Sequence, residues 1–268
     1  MKILQIINSL GPGGAEKLID DMVPLMNKTD GIEVEVLLLT NEKNVFGKNL
    51  KENNVTVTTL SRKNMRSLLN IIDIIKFIKK GSYDIVHAHL FPTFYWTSIS
   101  SRFIYSNKPK FIFTEHSTHN RRREKFYFKY IDKFMYSCFD RIISISQQTQ
   151  DELIKWLRIK QKDKKKFLII ENGVNIKKFN TAKPYLKSEL VPNLNENSKL
   201  LCMIGSFTIQ KDQPTIIKAM KYVPENVHLI LVGEGSLKKQ NQDLVKSLSL
   251  ENRVHFLGIR NDVSRILK

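Results

Sequence analysis

Seven short apolar, β-rich runs, at residues 2–8, 33–40, 55–60, 84–90, 110–116, 141–146 and 167–172, are separated by stretches that mostly carry helical spacing. Runs that are apolar nearly throughout, instead of on alternate residues, suit strands covered on both faces, and strands alternating with helices pair in parallel. Between them, Leu68, Ile71, Ile72, Ile75 and Ile78 share one face of a helix over 67–79, and Ser146 is placed to cap a helix over 147–157. The pattern predicts a doubly wound α/β domain.

It breaks at residues 172–197, which are rich in Asn, Lys, Pro and Ser, and restarts with a strand at 200–204, a helix near 214–220 and strands at 227–232 and 254–257. This reads as a first domain at 1–180, a linker at 181–197 and a second α/β unit at 198–268. Three strands are few for a doubly wound half, which ordinarily has five or six. The expectation is a second domain that is incomplete here, or one whose strand edge is covered by another copy or a partner chain.

The first run leads directly into Gly-Pro-Gly-Gly-Ala-Glu at residues 11–16 and then into a helical pattern carried by Leu18, Ile19, Met22, Val23 and Met26. A strand that turns through glycines into a helix offers bare N–H groups and the positive end of a helix dipole, which suits a phosphate. The same glycines serve a plain tight turn equally well. Neither G-x-G-x-x-G nor G-x-x-x-x-G-K-[ST] is present.

Forty-four Lys and Arg against 26 Asp and Glu leave a formal charge of +18, which points to an acidic partner: nucleic acid, anionic membrane or phosphorylated substrate. No zinc-finger, RRM or KH signature accompanies the charge, so a nucleic-acid partner is not expected. No apolar stretch reaches the 18 to 20 or so residues of a membrane span, and the N-terminus does not read as a signal peptide, so a cytoplasmic location is expected. Cys138 and Cys202 lie in apolar stretches and read as reduced, buried thiols.

In open parallel sheets ligands bind beyond the carboxyl ends of the strands. At those positions stand Gly13-Gly14-Ala15-Glu16, His87-Ala88-His89, Thr114-Glu115-His116, Asn172-Gly173-Val174, Gly205-Ser206-Phe207 with Gln210-Lys211-Asp212, and Gly233-Glu234-Gly235. In this order and register, along essentially the whole chain, they resemble the retaining GT-B glycosyltransferases of family 4. The resemblance implies two Rossmann-like domains facing a cleft, acceptor on the first and nucleotide-sugar donor mainly on the second. It implies that Gly13 and Gly14 approach the donor diphosphate, that His116 is the active-site histidine near the transferred sugar, that Lys211 neutralises the diphosphate leaving group, and that Gly233 and Gly235 turn near the base. Glu16, His89, Glu115 and Asn172 are candidates for the acceptor side or cleft.

Two positions depart from the family pattern. Ser206 stands where many members carry arginine, and the family's pair of glutamates eight residues apart is not found within residues 1–268. The expectation is that this chain by itself does not turn over a nucleotide sugar. His87 reads as a satisfied structural histidine, and His119, His228 and His255 as surface or packing residues. The H-x-H pair has no third ligand nearby and there is no D-x-D, so no metal and no cofactor is expected, the UDP- or GDP-sugar being a substrate.

The basic, aromatic segment from Arg121 to Phe139 reads either as a helix packed on its own sheet or as a contact with anionic lipid through Arg121, Arg122, Arg123, Phe126 and Tyr130. The leading function is retaining transfer of a sugar to a glycan or lipid-linked acceptor in envelope polysaccharide synthesis, by a chain in the cytoplasm at the inner face of the membrane. The alternatives are a non-catalytic half-enzyme needing a partner, and a GT-B sugar-nucleotide epimerase.

Overall fold

The structure, a computed structural model, describes residues 1–268 apart from Lys43, Lys63, His119, Asn193 and Asn195 and the side chains of Arg121 and Lys162. The chain divides into two compact units, Met1–Gly173 and Val174–Lys268.

In the first unit, strands β1 (Lys2–Ile7), β2 (Glu33–Leu38), β3 (Val57–Thr59), β4 (Ile85–His89), β5 (Lys110–Glu115), β6 (Arg141–Ser144) and β7 (Phe167–Ile169) form one sheet, in the order β3-β2-β1-β4-β5-β6-β7. Every pairing is parallel. The chain runs outward from β1 to β3, returns to place β4 beside β1, and runs outward again. The reversal point therefore lies between β1 and β4, where diverging loops leave room for a ligand.

Helices α1 (Gly14–Met26), α2 (Lys48–Glu52), α3 (Asn70–Gly81), α4 (Thr93–Ser100), α5 (Phe128–Ser137) and α6 (Gln147–Leu157) cover the sheet. Alternation along β1 divides the core: Ile3 and Ile7 pack with Ile19 and Val23 of α1, whereas Leu4 and Ile6 pack on the opposite face with residues of α3, α4 and α6 such as Ile74, Phe94 and Leu153. Ser146 caps α6 by accepting the Thr149 N–H at 3.2 Å, as its position predicts.

Helix α4 differs from its neighbours. Seven of its eight residues are buried, Phe94, Tyr95 and Trp96 among them, so it runs inside the core without an outer polar face. Phe94 lies 4.4 Å, centroid to centroid, from both Phe113 and Tyr136.

Two buried carboxylates bind the aromatic layer together. Asp132 of α5, 1% exposed, accepts from the Tyr95 hydroxyl at 2.6 Å and the Trp156 indole N–H at 3.0 Å, and its Oδ1 lies 3.4 Å from Arg122. Glu115 accepts from the Tyr136 hydroxyl and pairs with Arg123 at 3.3 Å, while Arg123 also donates to the Thr118 carbonyl. The Arg122 guanidinium lies 4.5 Å from the Phe91 ring centroid.

These contacts correct the membrane expectation for Arg122 and Arg123: both point inward and fasten the 3-10 turn Arg121–Glu124, Arg122 to α5 and Arg123 to β5, because each finds a buried carboxylate. The Arg121 side chain lies outside the described residues. Cys138 and Cys202 are free thiols, half-buried instead of fully buried.

In the second unit, β8 (Lys199–Ile204), β9 (Val227–Val232) and β10 (Val254–Gly258) form a parallel sheet in the order β10-β9-β8, with helices α7 (Ile176–Asn180), α8 (Lys187–Leu190), α9 (Gln213–Ala219), α10 (Lys238–Ser247) and α11 (Val263–Ile266). Leu229 and Leu231 pack with Ile217 and Val245 on one face. On the other, Leu190, Val191 and Leu194 close over Ile230 and Val232. Residues 181–197, read from composition as a linker, thus contribute a helix and core side chains to this unit. Tyr185 ties them down further, donating to Asp262 under the guanidinium of Arg265, 3.7 Å from its ring centroid.

Replacing Asp132 by Ala leaves a phenol, an indole and a guanidinium without their buried acceptor, at a cost of about 3 to 5 kcal/mol. Both tryptophans, Trp96 and Trp156, lie in the first unit, so urea denaturation followed by tryptophan fluorescence reads this loss directly.

Candidate functional site

At the reversal point the loops after β1 and β4 are tied together by one side chain. Asn8 donates from Nδ2 to the Phe91 carbonyl at 2.8 Å and accepts the Thr93 hydroxyl at 2.7 Å. Leu90, which follows His89 at once, has φ +63, a left-handed conformation unfavourable for a branched side chain, and is held by the Phe94 N–H bonded to its carbonyl at 2.8 Å.

On the β1 side, Gly13 precedes α1, whose amide groups begin at Gly14. Glu16 folds its carboxylate back over this helix start: a Cβ on Gly13 would stand 2.1 Å from Glu16 Oε2. The helix dipole favours an anion there, while burial raises the Glu16 pKa above the usual carboxylate range. A Cβ on Gly14 would meet open space, so glycine at 14 is not demanded by packing.

Beside this loop, on the sheet face that carries Ile3 and Ile7, parallel pairing sets Gln5 opposite His87 and His89 opposite Thr114. His87 Nε2 bonds the Thr114 hydroxyl at 2.7 Å, the satisfied structural histidine expected from its place at a strand end. His89, 1% exposed, has both ring nitrogens engaged, Nε2 with Gln5 Oε1 at 2.8 Å and Nδ1 with His116 Nε2 at 3.0 Å. Its expected position facing a ligand is therefore corrected: it is sealed behind His116. The reason is the strand alternation that points it at Gln5. His116, just past the end of β5, is half-buried and lies outermost in this row.

Burial pushes all three imidazoles toward the neutral form. His87 falls to about 3, with the His116 charge adding to the effect, and His116 to about 4; His89 goes well below its ordinary value, through burial first and then its two histidine neighbours. Glu115 alternates onto the opposite face of β5 into its contact with Arg123 and Tyr136, which removes it from the acceptor-side candidates. Burial raises its pKa, partly offset by Tyr136 and the arginines. Asn172 is exposed in the segment after β7.

In the second unit the residues after β8 and β9 interlock. Gly233 has φ +145, and a Cβ there would stand 2.1 Å from the Gly205 carbonyl oxygen; at Gly235 it would stand 2.5 Å from the Phe207 carbonyl oxygen. Both glycines are demanded by this close approach, which the Phe207 N–H to Glu234 carbonyl bond at 3.0 Å continues. Lys211 passes its aliphatic stem along Gly205 and is exposed, without an ion pair among the described residues. It ends a short 3-10 turn, Ile209–Lys211, and Asp212 behind it has φ +47.

Sequence reasoning missed Gln5. A lone amide inside the apolar strand Lys2–Ile7 was the available signal, since a polar side chain buried in a central strand requires a partner.

Because the three histidines are held neutral when folded but titrate near 6.5 when unfolded, the unfolded chain binds more protons below that pH. Their contribution is fully present above about pH 6.5 and declines as the pH falls, by at most about 1.4 kcal/mol per pH unit for each. The urea midpoint read by tryptophan fluorescence is expected to drop between pH 7 and pH 5, above the range where ordinary carboxylates titrate.

Comparison with known proteins places this geometry. The family model described as Glycosyltransferase Family 4 matches residues 12–178, and that of Glycosyl transferases group 1 matches residues 187–268. The chain is 31% identical, over 77% of its length and 54% of the relative's, to the Escherichia coli UDP-Gal:alpha-D-GlcNAc-diphosphoundecaprenol alpha-1,3-galactosyltransferase. It is 22% identical, over 96% of its length and 69% of the relative's, to the Campylobacter jejuni N-acetylgalactosamine-N,N'-diacetylbacillosaminyl-diphospho-undecaprenol 4-alpha-N-acetylgalactosaminyltransferase. Several of the curated relatives are matched over only about half of their length, 54% and 50% for two of them. Among solved structures, Anabaena Alr3699/HepE in complex with UDP and glucose superposes with a TM-score of 0.77 at 20% identity, covering 99% of this chain and 71% of that one. The fold is that of the GT-B glycosyltransferases, and the chain belongs to glycosyltransferase family 4.

Proposed function

We propose that the protein of which this chain is part or whole transfers a sugar, with retention, from a nucleotide-diphosphate donor to a lipid-linked glycan acceptor in envelope polysaccharide synthesis. The observation that carries this reading is that two similar proteins, from different bacteria, are both named for transfer onto a diphospho-undecaprenol-linked sugar. UDP as the donor base is supported by the name of the E. coli protein and by the UDP in the Anabaena structure; GDP is the alternative. Retention is carried by the resemblance to the family.

The residues fit leaving-group stabilisation. Transfer from a nucleotide sugar releases a diphosphate, and negative charge grows on its oxygens as the glycosidic bond breaks. A preplaced cation stabilises that charge without reorganisation. Lys211, exposed and without an ion pair among the described residues beside the glycine turns of the second unit, supplies it, and residues 1–268 contain no D-x-D pair to hold a metal instead. In the first unit, His116 meets the transferred sugar and the loop at Gly13 and Gly14 offers amide groups to phosphate.

An anionic membrane surface is proposed as the partner of α5. Phe126, in the turn just before α5, and Tyr130 and Phe134 on the helix are 79%, 72% and 50% exposed and follow one another every four residues. The single acid of residues 125–137, Asp132, points into the core, so Lys129 and Lys133 of α5, and Lys125 before it, have no carboxylate beside them from this segment's outer side. At Lys129, local desolvation and then the neighbouring charges of Arg158 and Lys133 lower the pKa from its ordinary value. Exposed rings among lysines match the interface of an anionic bilayer.

Lys211→Ala is expected to weaken UDP binding by about 1.5 to 3 kcal/mol, the loss typical of a charged hydrogen bond. Isothermal titration calorimetry on both proteins measures it, and equal affinities remove Lys211 from the site. For the membrane contact, joint replacement of Lys129 and Lys133 by Ala should lower co-sedimentation with phosphatidylglycerol vesicles about 30-fold, at about 1 kcal/mol per lysine. Vesicles of phosphatidylcholine alone should retain neither protein.

A further inference from the structure

The row Gln5, His89, His116 has a polarity. In the amide orientation of this structure the Gln5 oxygen faces His89 Nε2 at 2.8 Å; an amide oxygen accepts only, so that orientation puts the His89 proton on Nε2. A neutral imidazole has one N–H, which leaves His89 Nδ1 as a lone pair. His116 Nε2, 3.0 Å away, must then be the donor of that bond. Its Nδ1 is left bare, has no partner among the described residues, and is not among the atoms sealed from solvent.

We infer that Gln5 and His89 are positioning residues that hold His116 as a single tautomer, with the proton on Nε2 and the Nδ1 lone pair turned to the ligand. The inference rests on the proposed function for the identity of that ligand, but not for the tautomer itself. Its chemical consequence is specific. A lone pair accepts a hydrogen bond, so the group His116 takes from a sugar is a hydroxyl; a carboxylate or carbonyl oxygen at the same place would face lone pair against lone pair.

The position of Gln5 agrees with such a role. It is 1% exposed, in a strand otherwise apolar from Ile3 to Ile7, and its Nε2 has no partner. Leaving a buried NH2 unmatched costs stability, so packing by itself would favour an aliphatic residue there. At this position the amide oxygen is the group that sets the direction of the whole row. Burial keeps both histidines neutral near pH 7, which the one-proton argument requires.

The test needs no ligand, so its failure is distinguishable from failure of the proposed activity. Nitrogen-15 NMR of the histidine side chains in the full chain at pH 7 distinguishes protonated from bare ring nitrogens. The expected result is a full separation for His116, Nε2 protonated and Nδ1 bare. Gln5→Leu, which removes the acceptor while keeping the strand apolar, should move both His116 signals toward the averaged values of exchanging tautomers. Gln5→Glu keeps an acceptor and rescues the separation while His89 stays neutral. Once the carboxylate draws a second proton onto His89, its Nδ1 becomes a donor and the His116 proton moves to Nδ1, which inverts the pattern. Averaged His116 signals in the wild type, a proton on Nδ1 there, or His116 signals that neither variant moves would overturn the inference. A purely structural role for Gln5 predicts the last of these, because Gln5 acts on His116 through His89. If Gln5→Leu does not fold, Gln5→Met, close to glutamine in length and without an amide oxygen, takes its place and is read by the same two signals.

Discussion

Strand β4 is hydrogen-bonded along both edges, to β1 and to β5, and the polar chemistry of the first unit depends on that double pairing. Gln5 and His89 are 84 residues apart, His89 and His116 a further 27, yet parallel register sets them side by side on one face of the sheet. A one-residue slip of β4 would turn His87 and His89 into the aromatic layer on the other face and bring Val86 and Ala88 in their place. The apolar alternation that fills both cores therefore also specifies which histidine meets which partner.

The two faces of the sheet treat their polar residues differently. On the α3 to α6 face, Asp132 and Glu115 are each surrounded by donors: hydroxyl, indole and guanidinium groups that consume the carboxylates. This network secures α5, and it orients the helix so that its phenyl and phenol rings and its lysines remain outside. On the opposite face the row from Gln5 ends at half-buried His116, whose Nδ1 has no partner among the described residues, the arrangement suited to a ligand. Buried ionic groups organise the scaffold on one face, and imidazoles held neutral by burial form the polar row on the other.

Much of this was legible in the sequence. All ten strands fall within a few residues of the apolar runs, because strands covered on both faces are apolar throughout and glycine or polar residues mark their ends. Gly233 and Gly235 stand where the expected turns were, for a reason the sequence does not state: a Cβ at either would collide with the backbone after β8. The segment at 181–197 was misread because Asn, Lys and Ser outnumber Leu190, Val191 and Leu194, and composition averages away three side chains that close one face of a small sheet.

The sequence by itself determined the class of fold, the family, and the glycine and polar motifs that stand after the strands, since periodicity and motif order are local properties of the chain. Only the tertiary structure decided the direction in which each polar side chain points. Arg122 and Arg123 read as surface charge until Asp132 and Glu115, brought up by α5 and β5, draw them inward. His89 reads as a ligand contact until Gln5 and His116 occupy both of its nitrogens. A charge or an imidazole acquires its role from what stands within about 3 Å of it, and for these residues the neighbour comes from another strand or helix.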